Sequence, residues 1–239
     1  MHKTTYSLRP AIVMIELIFA IVIIAIVLLS APQLIATATK SGYVAIQQEA
    51  INEAATQVNM ILGYSWDANN TNETFLPPVL RVTHGDGDLN ESLLTGRRSG
   101  TPSHSYRSFY RSDGLDFNAS AIGDEGGTLD DMDDFNGNIG LISIESSSAD
   151  YIETDTVKIA TVVHYGTDTC AGGTYKNPGS DHEIVYTPTF SSVATPSSNI
   201  KYISVRLTSD SSLDELDKNI SFNAFSSNIG GFQLEERVY

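Results

Sequence analysis

Residues 12–31 read IVMIELIFAIVIIAIVLLSA, a run in which Glu16 is the one charged side chain. At about 1.5 Å of rise per residue, a helix of these twenty residues is long enough to cross the roughly 30 Å hydrocarbon core of a bilayer. Lys3 and Arg9 precede the run, and no acidic residue stands before it. Because basic flanks stay on the cytoplasmic side, the segment predicts a membrane helix with residues 1–11 inside and the rest of the chain outside.

Three interpretations of this segment compete. A cleavable secretory signal has a shorter apolar core, followed by a site of small residues. An ordinary membrane anchor accounts for length and orientation but leaves Glu16 unexplained, because a carboxylate that enters lipid is costly and usually functional. The third interpretation rests on residues 9–19, RPAIVMIELIF, which resemble the leader junction of type IV pilins and type II secretion pseudopilins. This resemblance accounts for the length, the orientation and the acidic residue together.

The resemblance implies that a prepilin peptidase cuts between Ala11 and Ile12, and that the new amino terminus is then N-methylated. Glu16 becomes the fifth residue of the mature chain, as in the family. Ala11 and Ile12 stand where the family usually has Gly and Phe, and Pro10 lies one residue earlier than the usual proline. The implied partner of Glu16 is the free amino group at residue 12 of a neighbouring subunit, since an unpaired buried charge costs several kcal/mol.

The helical pattern continues beyond Pro32 as far as Gly63. Apolar residues recur at spacings typical of one face of an amphipathic helix, namely Val44, Ile51, Ala55, Val58 and Leu62. Pro32 is expected to kink or loosen the helix. The sequence therefore predicts one long helix over residues 12–63, with 12–31 as the membrane and assembly segment and 32–63 as an amphipathic segment.

Residues 64–239 predict an extracytoplasmic globular head of the α+β class, in which an antiparallel sheet lies on the end of the long helix. Long loops rich in Asp, Gly, Asn and Ser alternate with segments of strand-forming residues. The predicted strands are 79–83, 140–144, 156–165, 183–186, 201–208 and 220–224.

Composition excludes several classes of function. The chain has 29 acidic and 14 basic residues and a net charge of −15, which argues against nucleic-acid binding because phosphate contacts need a concentrated basic surface. Cys170 is the one cysteine, so neither an intramolecular disulfide nor a cysteine-based metal site is available. No nucleophile elbow, phosphate-binding loop, dinucleotide fingerprint or zinc-protease motif is present, and the sequence predicts no enzyme.

The acidic loop, residues 129–137, reads LDDMDDFNG and contains four carboxylates in five positions, namely Asp130, Asp131, Asp133 and Asp134. Crowded carboxylates repel one another unless they are solvated or bridged by a cation, and hard oxygen ligands suit Ca²⁺. From the sequence, a solvated turn and a calcium site both stay open. The loop also resembles an acidic loop of the minor pilin D proteins of MSHA-type pili.

Three Asn-x-Ser sites have an acidic residue two positions before the asparagine: Asn90, Asn118 and Asn219. This pattern resembles the extended acceptor site of bacterial N-glycosylation. Chance is the rival explanation in a chain so rich in Asp, Asn and Ser.

Taken together, these features predict a structural subunit, a minor pilin or a pseudopilin. The resemblance implies that it waits in the inner membrane with its head in the periplasm and then enters a pilus or a secretion filament. The implied partners are other pilin-like subunits, the prepilin peptidase and an inner-membrane assembly platform. The alternative is a membrane-anchored extracytoplasmic protein that binds or adheres through its head.

Overall fold

The computed structural model describes residues 9–123, 127–148, 151–170, 175, 183–186, 190, 196–209 and 217–233. Side chains are described for these residues except 9–11 and 141–156. The chain forms two compact units, one ending at Glu49 and one beginning at Ala50. Most of the predicted leader, residues 1–8, lies outside the described residues.

One helix, α1, spans Arg9–Leu62 and contains Pro32. It ends one residue before Gly63, where the sequence predicted a stop. The helix continues through Pro32, although a proline removes one backbone hydrogen bond inside a helix. All side chains of residues 12–31 are exposed. By length and composition, this part of α1 could cross a membrane.

The end of α1, from Ala50 onward, belongs to the core of the second unit. Its buried side chains recur every three or four residues, and they are Ala50, Ala54, Val58 and Ile61. The predicted face was correct at Val58 but wrong at Val44 and Leu62, which are 56% and 38% exposed. The buried stripe begins with two alanines, whose small side chains let the helix backbone approach the packed sheet closely.

In the described part of the chain, four strands form one antiparallel sheet in chain order. The strands are β1 Ile139–Ser148, β2 Tyr151–Tyr165, β3 Ile200–Ser209 and β4 Asn219–Ser227. The register places Ile159 opposite Leu207 and Ile203 opposite Ala224. The long helix and the antiparallel sheet confirm the predicted α+β layout.

Two of the six predicted strands were wrong. Residues 79–83 form only an isolated bridge, between Arg81 and Asn118. Their backbone hydrogen bonds go to different loops, because Val79 donates to Ser108 and Arg81 donates to Phe117, so no continuous ladder forms. In residues 183–186, only Val185 takes part in a bridge.

The helix contacts the sheet through both apolar and polar groups. Ala54 and Ile61 share a buried cluster with Val163 and Ile203 of the two central strands. Gln57 Nε2 donates to the buried Thr161 Oγ1 at 2.7 Å. This bond fixes the rotation of the helix on the sheet, since slippage would leave a buried hydroxyl unsatisfied.

Replacing Ala54 by Leu tests this close approach. Ala54 is 0% exposed, so the added carbons must displace helix or sheet, and we expect the free energy of unfolding to fall by about 1–3 kcal/mol. The matched control is Asn59→Leu on the exposed side of the same helix, with an expected change within about 0.5 kcal/mol. Denaturant unfolding of the full chain in detergent, followed by the one tryptophan, Trp66, measures both. Equal effects of the two variants would contradict the packing described here.

Candidate functional site

The predicted processing and assembly residues lie at the beginning of α1. Ala11, Ile12 and Glu16 are helical. The side chains of Ile12 and Glu16 are exposed, as are the apolar residues around them. Positions 12 and 16 are four residues apart, so they lie on the same side of the helix. The segment therefore presents an apolar surface with one carboxylate in it.

A buried lysine lies at the centre of the second unit. Lys201 is the second residue of β3 and is 0% exposed. Its ammonium forms ion pairs with Asp67, at 3.4 Å, and with Asp133, and it donates to the Trp66 carbonyl at 2.7 Å. It also lies 4.6 Å from the centroid of the Trp66 ring. The charge is thus compensated by two carboxylates and an aromatic face.

Asp67 holds the segment after α1 onto the sheet and the neighbouring loop. Its Oδ2 accepts from the backbone N–H of Ser120 at 2.8 Å and from the Ser120 hydroxyl at 3.0 Å. The Tyr165 hydroxyl lies 3.4 Å from the same oxygen and donates to the Ser120 carbonyl at 2.8 Å. Burial, and secondarily the negative charge of Asp67, raises the pKa of Tyr165, so the phenol keeps its proton and remains a donor.

The acidic loop is mostly buried. Asp131 and Asp133 are 0% exposed and Asp134 is 9% exposed, whereas Asp130 is exposed. A fully solvated turn is therefore wrong for three of the four predicted residues. Two of the carboxylates hold the loop in shape: Asp131 Oδ1 accepts the N–H groups of Asp133 and Asp134, and Asp134 Oδ2 accepts those of Asp130 and Asp131.

Burial makes two of these carboxyl groups, Asp131 and Asp133, hard to ionise. It raises the pKa of Asp131 to about 7, and the adjacent Asp133 adds to the effect. Burial also raises the pKa of Asp133, although the charge of Lys201 opposes it. The second oxygen of Asp131, Oδ2, is buried without a hydrogen-bond partner among the residues that the structure describes. Carboxylate oxygens of Asp130, Asp131 and Asp134 lie within 4.8 Å of one another, close enough to share a metal ion.

The described part of the second unit contains a polar cleft and an arginine cleft. The polar cleft, of about 690 Å³, is lined by Ser65, residues 70–77, Asp130 and Gln233. The arginine cleft, of about 580 Å³, has Arg98 and Arg107 in its wall together with Phe232. Burial lowers the pKa of Arg98 to about 10, which still leaves it cationic at neutral pH. The chain has a net charge of −15, so the arginine cleft is a locally basic part of an acidic protein.

The three candidate glycosylation asparagines, Asn90, Asn118 and Asn219, are all exposed. In the site at Asn118, the serine is held in place, because the Ser120 hydroxyl donates to the buried Asp67. Asn219 accepts a hydrogen bond from Arg206 Nε at 2.8 Å. Exposure is compatible with modification, which stays a prediction.

Comparison with known proteins gives no relative. No protein-family model, no curated protein and no solved structure matches this chain. What the chain does must therefore be inferred from its own residues.

Reasoning from the sequence missed Lys201 and Asp67. The available signal was a lysine between Ile200 and Tyr202 in a strand that is otherwise apolar on its buried face. A lysine is almost never fully buried unless it is paired, so its position called for buried acids elsewhere in the chain. The acidic loop, with Asp133, was the place to look for one.

Proposed function

We propose that this chain is a pilin-like structural subunit, a minor pilin or a pseudopilin, which assembles through the beginning of α1 after prepilin peptidase processing. The observation that carries the proposal is one continuous helix, Arg9–Leu62. Its exposed apolar part contains Glu16, and the side chains at its other end pack against the sheet. A cleavable signal would be removed from the protein, and so it would not need to continue into the core of a folded unit.

The chemistry of the junction supports a role for cleavage in assembly. A carboxylate within an apolar helix must find a cation or remain protonated. Cutting between Ala11 and Ile12 creates a cationic amino group, and a neighbouring subunit can offer that group to Glu16. Only processed subunits would then satisfy Glu16, so processing and the stagger between subunits would be coupled. The role is structural rather than catalytic, and the partners are other pilin-like subunits, the peptidase and the inner-membrane assembly platform.

Location follows from the same segment. The basic residues Lys3 and Arg9 before the apolar run favour a cytoplasmic start, with the head in the periplasm. Subunits that join head to tail form an open arrangement, which extends into a filament rather than closing into a ring.

Mass spectrometry of the protein purified from its native membrane tests the proposal. We expect the mature chain to begin at Ile12 and to carry one methyl group on its amino nitrogen. In cells without prepilin peptidase, the same protein should retain residues 1–11 and lack the methyl group. A native protein that keeps residues 1–11 in cells with active peptidase would overturn the proposal.

A membrane-anchored binding protein is the second candidate, and the arginine cleft favours it. Arg107 Nε is buried and has no hydrogen-bond partner within the described ranges, so it could donate to a ligand anion. The two candidates differ in their dependence on processing. An anchored binding protein would keep its activity without the peptidase, whereas a filament subunit would lose every filament-dependent phenotype.

A further inference from the structure

We propose that Asp130, Asp131 and Asp134 bind a calcium ion in the acidic loop. This inference goes beyond the assembly function and does not depend on it, because it rests on the second unit alone. Of the solvated turn and the calcium site that the sequence left open, the calcium site is thereby assigned to three residues.

The first support is an acceptor that the folded chain leaves unused. Asp131 Oδ1 already receives two N–H groups, from Asp133 at 2.8 Å and from Asp134 at 3.2 Å. Asp131 Oδ2 is buried and receives no hydrogen bond from the described residues. Such an orphaned carboxylate oxygen is costly in a protein interior, and a directly bound cation would remove that cost.

The second support is the balance of charge. Four carboxyl groups are buried in this region, Asp67, Asp131, Asp133 and Asp134, whereas the buried ammonium of Lys201 pairs with only two of them. Asp67 and Asp133 are the two that it contacts. Asp131 and Asp134 have no ion pair in the described part of the structure, and they are two of the three residues whose oxygens lie within 4.8 Å. A divalent cation at that point would compensate the charge that Lys201 does not.

The third support is access from solvent. Asp130 is exposed and lines the polar cleft of about 690 Å³. The wall of this cleft also contains Asn70, whose Oδ1 is a second buried acceptor without a hydrogen-bond partner among described residues, and the carboxylate of Glu73. An ion can therefore enter from the cleft, and water molecules there can complete its coordination.

The donor set points to calcium. Ca²⁺ takes six to eight oxygen ligands in flexible geometry, and carboxylates with water suit it. Mg²⁺ demands a stricter octahedron and keeps more of its water, while zinc and copper favour imidazole and thiolate ligands, which this cluster lacks. Three carboxylates whose coordination is completed by water fit the weak affinities of extracellular calcium modules, with Kd of about 10⁻⁴–10⁻³ M.

Calcium titration of the full chain in detergent, after treatment with a chelator, tests the site. We expect saturable binding by calorimetry and a rise in the thermal midpoint, with the unfolding equilibrium constant reduced about 10-fold when Ca²⁺ reaches ten times its Kd.

Asp130→Asn removes an exposed ligand without touching the buried network, and it should weaken binding by about 10-fold to 100-fold. Asp131→Asn keeps the oxygen that accepts the two N–H groups and should abolish binding. The matched control is Asp217→Asn, an exposed acid outside the loop, which should bind calcium as the wild type does.

Three results would overturn the assignment. The first is no calcium-dependent change up to about 10 mM, ten times the weakest expected Kd. The second is an Asp130→Asn variant that binds as tightly as the control. The third is equal stabilisation by Mg²⁺ at the same concentration. The Asp130→Asn variant keeps the test decisive even if Asp131→Asn does not fold.

Discussion

Lys201→Met is expected to lower the free energy of unfolding of the full chain by about 3–5 kcal/mol, the usual cost of removing one partner from a buried ion pair. Methionine fills a similar volume, but it leaves Asp67 and Asp133 without the cation that both contact. The free energy of unfolding of a typical domain is about 5–15 kcal/mol, so the variant should be marginally folded at best. The effect is as large as that of a core truncation, which costs about 2–5 kcal/mol, although the side-chain volume is kept, because buried charges lose their compensation.

Denaturant unfolding followed by far-ultraviolet circular dichroism measures this loss. Trp66 fluorescence is the less suitable probe here, because the ammonium lies 4.6 Å from the indole ring and its removal changes the emission directly. Lys218→Met is the matched control, since Lys218 is exposed, and its effect should stay within about 0.5 kcal/mol. A second substitution, Asp133→Asn in the Lys201→Met background, should recover part of the stability by removing one unpaired charge. A Lys201→Met variant as stable as the control would show that the ammonium does not compensate these acids.

Glu16→Val is expected to leave membrane insertion intact and to abolish incorporation into a filament. Insertion should persist because the substitution makes the apolar run of residues 12–31 more apolar. Assembly should fail because, in the proposed arrangement, this carboxylate pairs with the amino group of the neighbouring subunit. A partner interaction worth several kcal/mol corresponds to more than about 100-fold in the association of subunits.

Two fractions from the same cells separate these effects. Resistance of the protein to extraction from the membrane by alkaline carbonate reports insertion, and immunoblotting of sheared filaments reports assembly. The matched control is Ser30→Val, which removes a polar group from the same helix. The hydroxyl of Ser30 donates to the Val27 carbonyl one turn earlier. That variant should insert and assemble normally. Filaments that contain Glu16→Val subunits at wild-type levels would contradict the proposed role of Glu16.

The helix and the sheet could be predicted because their patterns are local. Residues 12–31 are apolar except for Glu16 and Ser30, and residues 201–208 alternate with the period of a strand. Each of these patterns can be recognised without knowledge of the rest of the chain. Residues 79–83 have the composition of a strand but lack a strand partner. Strand pairing depends on distant residues, which is why this segment was assigned incorrectly.

The buried charge cluster could be predicted only in part. The acidic loop stands out in the sequence, but its burial depends on packing against Ser65, whose carbonyl accepts the N–H of Met132 at 3.0 Å. The role of Asp67 depends on Ser120 and Tyr165, which lie far from it in the chain. Solvent exposure was the simpler expectation for a run of aspartates, and tertiary contacts overturned it.

The distances along the chain within this cluster bear on how the protein reaches its native state. Lys201 meets Asp67 across 134 residues and Asp133 across 68 residues. Contacts between such distant segments form slowly, since closing the loops between them costs entropy before the stabilising contacts can form. Until β3 docks, Asp67 and Asp133 have no cation, and burying them early would be unfavourable. We therefore expect the last steps of folding to join the segment after α1, the acidic loop and β3 in one cooperative event, with few stable intermediates before it.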